Sequence, residues 1–165
     1  MGVSQQRKAV YLGTFDPLTL GHLDIITRAS RMFDQLILGI GVNSSKSPCF
    51  ELEDRLDMVR GICAHLPNIH IDSFQGLAVN FAKNHDARIM VRGLRTEADY
   101  AYEMQMAMMN HILSSGIETI FIPTRQELSH ISSSMVKEVA ALGGNVSGLV
   151  PPLVFKKLSE KFSIA

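Results

Sequence analysis

The sequence has no tryptophan, only two cysteines and no excess of charge of either sign, since Lys+Arg and Asp+Glu number 16 each among 165 residues. Balanced charge offers no basic field for nucleic acid, so we expect no nucleic-acid partner. Cys49 and Cys63 lack a CxxC spacing and are typical of reduced thiols in a cytoplasmic protein. No apolar run has the length of a membrane span or the character of a signal peptide, which predicts a cytoplasmic protein that does not bind membranes.

Two familiar phosphate-binding loops are also missing. No stretch matches GxxxxGK[ST], and GIGV at residues 39–42 begins like GxGxxG without its third glycine, which argues against a dinucleotide-dependent dehydrogenase. The histidines that follow His22 in the sequence show no metal-ligand spacing with the cysteines, so we predict no metal site built from protein ligands.

Short apolar runs alternate with helical patterns along the whole chain. The pattern predicts strands over 8–13, 35–42, 69–74, 88–92 and 118–122. Helices are predicted to begin at residue 21 and to span 51–66, 77–84 and 96–115. A further helix is predicted to end at a glycine cap at 143–144, and the last one to begin at 151–152. The strands do not alternate in polarity, which favours burial on both faces. We therefore predict an α/β fold, a Rossmann-like, doubly wound, five-stranded parallel sheet with helices on both faces. Residues 1–165 are expected to form one domain, with 1–7 as a flexible tail.

The first candidate site is the turn GTFDPLTLGH, which follows the first predicted strand. Gly13 allows a tight exit from the strand, and Gly21 allows a ligand to approach the start of the next helix, where free amides attract anions. Thr14 adds a hydroxyl donor, and His22 can donate to a phosphate oxygen and, when protonated, offset negative charge. The alternative is an ordinary capped turn with a solvated histidine.

Three further segments also follow predicted strands. Serines 132–134 open a helix, Arg92 and Arg95 flank a glycine, and Lys46 lies in a polar loop. Each has an ordinary alternative: a serine N-cap, surface salt bridges or a solvated lysine. Doubly wound sheets bind ligands beyond the carboxyl ends of their strands, so these segments should meet there. Together they predict a cleft for a polyanion.

These motifs resemble those of a known family. GTFDPLTLGH resembles the signature of the nucleotidyltransferase superfamily, whose [HT]xGH element is here residues 19–22, and ISSSMVKE resembles its second signature. With VRGLRTEADYAYEMQMAMMN and the lysine of NSSKSP, they are similar to the bacterial phosphopantetheine adenylyltransferase family. The resemblance runs from about Lys8 to Leu158. It implies transfer of the adenylyl group of ATP to 4′-phosphopantetheine, releasing pyrophosphate and dephospho-coenzyme A.

The resemblance also implies which residues meet each substrate. Thr14, Phe15 and His22 are expected to contact ATP, and Thr14 the acceptor as well. Lys46 and Arg92 match the acceptor-binding lysine and arginine of the family, and Ala78 matches a backbone contact to pantetheine. The remaining expected ATP-binding residues are Gly93, Leu94, Arg95, Glu103, Leu128, Ser129, His130, Ile131, Ser132, Ser133 and Ser134.

The expected chemistry needs charge stabilisation rather than a base, because a phosphate monoester is already an anionic nucleophile. Our hypothesis is direct in-line attack without a covalent intermediate. Thr14 and His22 would lie at the reaction centre, with His22 on the α-phosphate. Lys46 would orient the attacking phosphate, and Arg95 with the serines would hold the departing phosphates. Mg²⁺ is expected as cofactor, held mainly by ATP phosphates and water, since no acidic cluster offers a cage.

Two other functions stay open on sequence alone. A related transferase could use nicotinamide mononucleotide, although Lys46 and Arg92 argue against it, and a non-catalytic nucleotide or coenzyme A sensor could keep the same fold. The family resemblance further implies a homohexamer, for which the methionine-rich helix over 98–112 offers a contact surface. It also implies feedback inhibition by coenzyme A.

Overall fold

Five parallel strands form the central sheet in a computed structural model of the chain, which describes residues 6–42 and 47–164. The strands are β1 (Lys8–Gly13), β2 (Gln35–Gly41), β3 (Ile69–Phe74), β4 (Ile89–Leu94) and β5 (Glu118–Pro123). The helices are α1 (Leu20–Ser30), α2 (Leu52–Cys63), α3 (Ala78–Asn84), α4 (Glu97–Leu113), α5 (Ser133–Ala141) and α6 (Pro152–Phe162), with a 3₁₀ turn at Gln126–Leu128. None of the described helices is both long and apolar enough to cross a membrane.

The strand order is β3-β2-β1-β4-β5, with every neighbouring pair parallel. The first strand, β1, is therefore central. β2 and β3 follow on one side of it, and β4 and β5 lie on the other side. Tyr11 of β1 is accordingly registered with Leu38 of β2 and Val91 of β4. The order of the strands reverses between β1 and β4. This arrangement confirms the predicted doubly wound sheet and places its switch point between these two strands.

Two cores, one on each face, explain why the strands do not alternate in polarity. In β1, Ala9 and Tyr11 are buried in the larger core, whereas Val10 and Leu12 are buried in the smaller one. The larger core includes residues of α1, α2, α5 and α6, and the smaller core is built against α3. Helices therefore cover both faces of the sheet, as predicted.

Several element boundaries differ from the prediction. Helix α2 ends at Cys63 rather than at residue 66, because the residue before Pro67 is biased away from the helical conformation. Strand β4 continues to Leu94, since its carbonyl accepts the amide of Thr124 at 2.7 Å and keeps β5 paired. Gly143 has φ of +79° after the last turn of α5, which confirms the predicted glycine cap.

The chain is anchored just before β1. The backbone amide of Arg7 donates to Asp34 Oδ2 at 2.8 Å, and its guanidinium donates to Asp34 Oδ1 at 3.1 Å. Because these groups are exposed, the pair contributes little to stability. Residues 1–5 lie outside the described part of the chain, so the expected flexible tail stays a prediction.

Candidate functional site

A polar cleft lies beyond the carboxyl ends of β1 and β4, at the switch point of the sheet. Its cavity has a volume of about 420 Å³. It is lined by Tyr11, Leu12, Gly13, Thr14, Thr19, Gly21, His22, Ile25, Arg92, Gly93, Arg95, Glu103, Thr124, Ile131, Ser132, Ser133 and Ser134. The structure thus brings together three of the four segments that the sequence singled out. The fourth, with Lys46, lies outside the described residues, and its role stays a prediction.

The start of α1 forms one wall of this cleft through a reciprocal cap. The hydroxyl of Thr19 accepts the amide of His22 at 3.4 Å, and the amide of Thr19 donates to His22 Nδ1 at 3.1 Å. His22 thus takes the place of the usual glutamate or glutamine in a capping box. With Nδ1 acting as acceptor, Nε2 carries the proton in the neutral ring. The Thr-x-x-His spacing therefore orients one N–H donor at the cleft.

His22 is neutral in this environment at neutral pH. Its pKa is lowered from 6.5 to about 4, chiefly because burial disfavours the charged ring, and further because Arg95 and Arg92 lie nearby. The protonated histidine considered from the sequence is therefore not the form of the ligand-free protein. An incoming polyanion would counteract both arginines and raise this pKa.

The ring of Phe15 packs against the ring of His22 and does not line the cleft. Its side chain is 1% exposed and meets the rings of Tyr11 and His22 edge-on, at centroid distances of 5.6 and 5.2 Å. Its φ of +46° is unusual for a residue other than glycine, and the buried ring holds that conformation. Burial also raises the pKa of Tyr11 to about 12.

The start of α5 forms the facing wall. Ser132 is the N-cap, accepting the amide of Met135 at 3.1 Å, and the hydroxyl of Ser133 donates to the carbonyl of Pro17 at 2.9 Å. First-turn amides of a helix have no carbonyl partner within that helix, so those of Ser133 and Ser134 are available to a ligand. The serines thus do three things: one caps the helix, one ties α5 to the β1 loop, and all line the cleft.

Arg92, near the end of β4, is held in a fixed orientation. It donates to Glu103 Oε2 at 2.7 Å and Oε1 at 2.6 Å, and to the carbonyl of Leu12 at 2.8 Å. Burial lowers the pKa of Arg92, but the hydrogen bonds and charge of Glu103 outweigh it and leave the pKa raised. A guanidinium has five N–H donors, so two remain beyond these three bonds. Glu103 therefore positions Arg92 without using all its donors.

Arg95 is held similarly but more loosely. Its Nε donates at 3.0 Å to Asp99 Oδ2, in the first turn of α4, and its terminal nitrogen donates to the carbonyl of Ile131 at 3.2 Å. The contact with Ile131 joins the end of β4 to the serine loop. Both salt bridges expected as the ordinary alternative for the two arginines are therefore present, and both arginines still line the cleft.

A second cavity of about 380 Å³ adjoins the polar cleft and is mainly apolar. It shares five lining residues with the polar cleft, namely Leu12, Gly13, Thr14, Arg92 and Glu103. Its other lining residues are Gly41, Phe74, Gly76, Leu77, Ala78, Met90, Tyr102, Met106, Ala107, Met109, Asn110, Leu113 and Thr119. The structure thus offers a polar and an apolar chamber that meet at Thr14 and Arg92.

Some predicted site residues lie elsewhere. Leu94, Leu128, Ser129 and His130 line neither of these two cavities. The backbone of the 128–130 segment nevertheless runs beside the start of α1. The carbonyl oxygen of Leu128 lies 3.7 Å from the point at which a Cβ would stand if Gly21 carried a side chain. Their expected ATP contacts stay predictions.

The sequence reasoning gave no role to two residues that tie the loops together. Asp16, 5% exposed, accepts the amides of Cys49 and Phe50 at 2.8 and 2.9 Å, and the ammonium of Lys137 at 3.0 Å. Both residues stand in quoted motifs, GTFDPLTLGH and ISSSMVKE, so their opposite charges were the available signal. They join the β1 loop to the α2 entry and to α5.

Arg55 was also missed, because the charged stretch ELEDR looks like an exposed helix face. It is 4% exposed and donates to the carbonyls of Thr14, Gly41 and Phe50 at 2.8, 3.0 and 3.1 Å. The first carbonyl directly follows β1, the second ends β2 and the third precedes α2. Arg55 therefore holds the backbone at Thr14 in position.

The site can bind and polarise a polyanion. Its carboxylates are already paired with cationic side chains. In and beside the described part of the cleft, Glu103 pairs with Arg92, Asp99 with Arg95 and Asp16 with Lys137. Such paired carboxylates do not form a cage for Mg²⁺, so this donor set fits a metal held by phosphate oxygens and water.

The comparison with protein families defines the class first. Residues 10–139 match the cytidylyltransferase-like family, which makes the chain a nucleotidyltransferase in class. Two relatives narrow this further. The chain is 54% identical to the phosphopantetheine adenylyltransferase of Carboxydothermus hydrogenoformans, covering 94% of this chain and 96% of that protein. It is 49% identical to the one from Streptomyces coelicolor, covering 94% and 97%. The chain belongs to the phosphopantetheine adenylyltransferase family and is an enzyme of that kind.

Solved structures agree on the fold. A Vibrio parahaemolyticus protein, provisionally assigned as a nicotinate-nucleotide adenylyltransferase, has a TM-score of 0.69. It is 15% identical in sequence, and the match covers 94% of this chain and 93% of that one. At this identity the likeness concerns the fold alone.

Proposed function

We propose that the protein transfers the adenylyl group of ATP to 4′-phosphopantetheine in coenzyme A biosynthesis, giving dephospho-coenzyme A and pyrophosphate. The observation that carries this proposal is the meeting of a polar and an apolar chamber at Thr14 and Arg92. A triphosphate and the long, uncharged arm of pantetheine need these two environments, with their phosphates facing each other at the junction.

The polar chamber suits the triphosphate because its donors come from rigid elements. The starts of α1 and α5 face it together, so two helix dipoles and their open amides act on one anion. Arg95 supplies a cation that Asp99 and the serine loop hold in place. We assign the β- and γ-phosphates to Arg95 and serines 132–134, and the adenosine end to Gly93, Leu94 and the 128–131 segment with Glu103.

The apolar chamber suits the pantetheine arm. Phe74, Leu77 and Met106 are among its lining residues, and Ala78 opens α3 at its edge. We assign the arm to this chamber, with a backbone contact at Ala78. Its terminal phosphate would then reach Thr14 and the free donors of Arg92, with Lys46 completing the set.

In the proposed reaction, a phosphate oxygen of the acceptor attacks the α-phosphorus of ATP. A new O–P bond forms as the bond from the α-phosphorus to the bridging oxygen breaks, and that electron pair leaves with pyrophosphate. No proton needs to be removed from the nucleophile, which agrees with a cleft whose carboxylates are paired. The Nε2 proton of His22 would stabilise charge on the α-phosphate oxygens. When bound, Mg²⁺ would neutralise part of the phosphate charge.

The test is pyrophosphate release with ATP and Mg²⁺, comparing 4′-phosphopantetheine with nicotinamide mononucleotide. We expect turnover only with 4′-phosphopantetheine, and omission of Mg²⁺ should abolish it. Turnover only with nicotinamide mononucleotide would show a different acceptor. Nucleotide binding without any pyrophosphate release would indicate a sensor. In the same assay, His22→Ala should lower kcat by about 10²–10³, and near-unchanged turnover would refute the role of His22.

We also propose the assembly, location and regulation implied by the family. Helix α4 exposes Tyr102, Met108 and Ile112 at 61%, 63% and 76%, an apolar surface that a homohexamer would cover. Light scattering should show six chains, and a monomer would refute this. The free thiols of Cys49 and Cys63 support a cytoplasmic location. Coenzyme A should compete with 4′-phosphopantetheine, since it carries the same arm.

A further inference from the structure

In the described part of the chain, one group of three metal-ligating side chains lies away from the cleft. It consists of His70, Asp72 and His85, whose ligand atoms all lie within 4.8 Å of one another. His70 and Asp72 stand two residues apart on edge strand β3, and His85 follows the last residue of α3. Sequence spacing with the cysteines predicted no such group, because it forms only when α3 packs on β3.

The two β3 residues share the face that α3 covers. His70 is registered with Ile37, and Ile37 belongs to the core built against α3. Residues of one strand at i and i+2 point to the same side, so Asp72 faces the same way. The end of α3 brings His85 Nε2 to 3.2 Å from Asp72 Oδ2.

The surroundings orient two of the three ligands. The ring of His85 packs against Phe81 at a centroid distance of 4.4 Å, and its side chain is 20% exposed. Asp72 Oδ1 accepts the amide of Ser73 at 2.8 Å, which leaves Oδ2 towards His85. Such secondary contacts are what hold metal ligands in position. His70 is exposed and can rotate to complete the group.

We propose that His70, Asp72 and His85 bind one divalent transition-metal ion of the zinc class, with water in the remaining position. Two imidazoles and one carboxylate are a common ligand set for Zn²⁺, whereas Mg²⁺ and Ca²⁺ prefer oxygen ligands. Ligands about 2.0–2.2 Å from a tetrahedral zinc lie roughly 3.4 Å apart. The pair Asp72–His85, at 3.2 Å, is already close to this spacing, and rotation of the exposed His70 ring would adjust the third ligand.

The neighbouring cation does not occupy the group. Lys8 Nζ donates to the backbone carbonyl of His85 at 3.5 Å and lies 3.8 Å from Asp86. A bound ion would link the edge strand to the end of α3, whose first residue, Ala78, lines the apolar chamber. The site would therefore brace this helix without touching the reacting groups.

The test is a calorimetric titration in which Zn²⁺ is added to the untagged full chain after its metals have been removed with EDTA. We expect one ion per chain, with His70→Ala and His85→Gln each weakening affinity at least about tenfold. His65→Ala, at an exposed histidine outside the group, should leave affinity unchanged. Zinc should raise the melting temperature of the parent and the His65 variant, and not of the His70 variant.

Co²⁺ provides an independent readout of the ligands. Strong visible bands typical of four-coordinate cobalt, without thiolate charge transfer in the near ultraviolet, would support two imidazoles and a carboxylate. Charge transfer would instead show ligation by a cysteine and overturn the proposal. Equal zinc affinity of the parent and the His70 variant would overturn it as well, leaving only the ion pair of Asp72 and His85.

Discussion

The lowered pKa of His22 predicts that the ligand-free protein loses stability in mild acid. The imidazole titrates near 6.5 in the unfolded chain and at about 4 in the folded protein, mainly because of burial and secondarily because of Arg95 and Arg92. Between these values the unfolded chain binds more protons, so the free energy of unfolding rises with pH. The contribution of neutral His22 is complete above about pH 6.5 and is lost as pH falls towards 4.

The size of the effect follows from the shift. The full difference between 6.5 and about 4 corresponds to about 3.4 kcal/mol at low pH, and to about 2 kcal/mol at pH 5. Salt screens the two arginines, so we expect about 1 to 2 kcal/mol at pH 5 and physiological ionic strength. The variant that isolates this term is His22→Gln, because glutamine can keep the reciprocal cap with Thr19 but does not titrate.

The assay is urea unfolding of the parent and the His22→Gln variant at pH 7.5, 6 and 5. Other titrating groups cancel in the difference, so the parent should lose about 1 to 2 kcal/mol more than the variant between pH 7.5 and 5. His65→Gln, which also removes one histidine, should follow the parent. Identical pH dependence of the parent and the His22 variant would refute the assigned pKa.

A second consequence concerns the proposed binding of ATP. Phosphates next to His22 oppose the effect of the arginines and raise its pKa, so binding near pH 6 should take up protons. Calorimetry in two buffers of different ionisation enthalpy measures this uptake. It should be present in the parent and reduced in the His22→Gln variant. Equal uptake in both would place the triphosphate away from His22.

Three other predictions follow from particular contacts. Arg55→Met should lower the free energy of unfolding by about 3 kcal/mol in urea, since one buried and two partly buried carbonyls lose their donor. Gly143→Ala should lower it by about 1 kcal/mol because of the positive φ of +79°, whereas Gly148→Ala should cost little. Glu103→Gln should lower kcat/KM for 4′-phosphopantetheine about tenfold by loosening Arg92, with the loss mainly in KM.

Each of these has an outcome that contradicts it. Arg60, on the same helix, is 53% exposed, so Arg60→Met should be nearly silent, and equal losses for Arg55 and Arg60 would deny the bracing role. Equal effects of the two alanine variants would remove the conformational argument at Gly143. A Glu103→Gln enzyme that loses kcat alone would show that Glu103 acts at the reaction centre.

Much of the fold could be predicted because each buried strand is a local apolar run. The bounds of β1 and β3 agree residue for residue, and non-alternating strands correctly indicated burial on both faces. Most errors lay at element ends, where a contact distant in sequence decides the outcome. The extension of β4 to Leu94, for example, depends on Thr124, thirty positions further on.

The site could be predicted in part for a related reason. Segments that follow parallel strands must meet at one edge of the sheet, so Thr14, His22, Arg92 and Arg95 could be grouped from the sequence alone. The form of each side chain could not. That His22 is neutral depends on burial beside two arginines at the end of another strand, and that Arg55 is internal depends on where three loops end.

The sequence by itself determined the order of strands and helices, the two helix starts and the family motifs, because each is encoded within a few neighbouring residues. Only the tertiary structure decided which groups pair, which histidine stays neutral and where two chambers adjoin. It also brought His70, Asp72 and His85 within ligand distance between β3 and the end of α3. Burial and long-range proximity set charge and pKa, and neither is a property of a short stretch of chain.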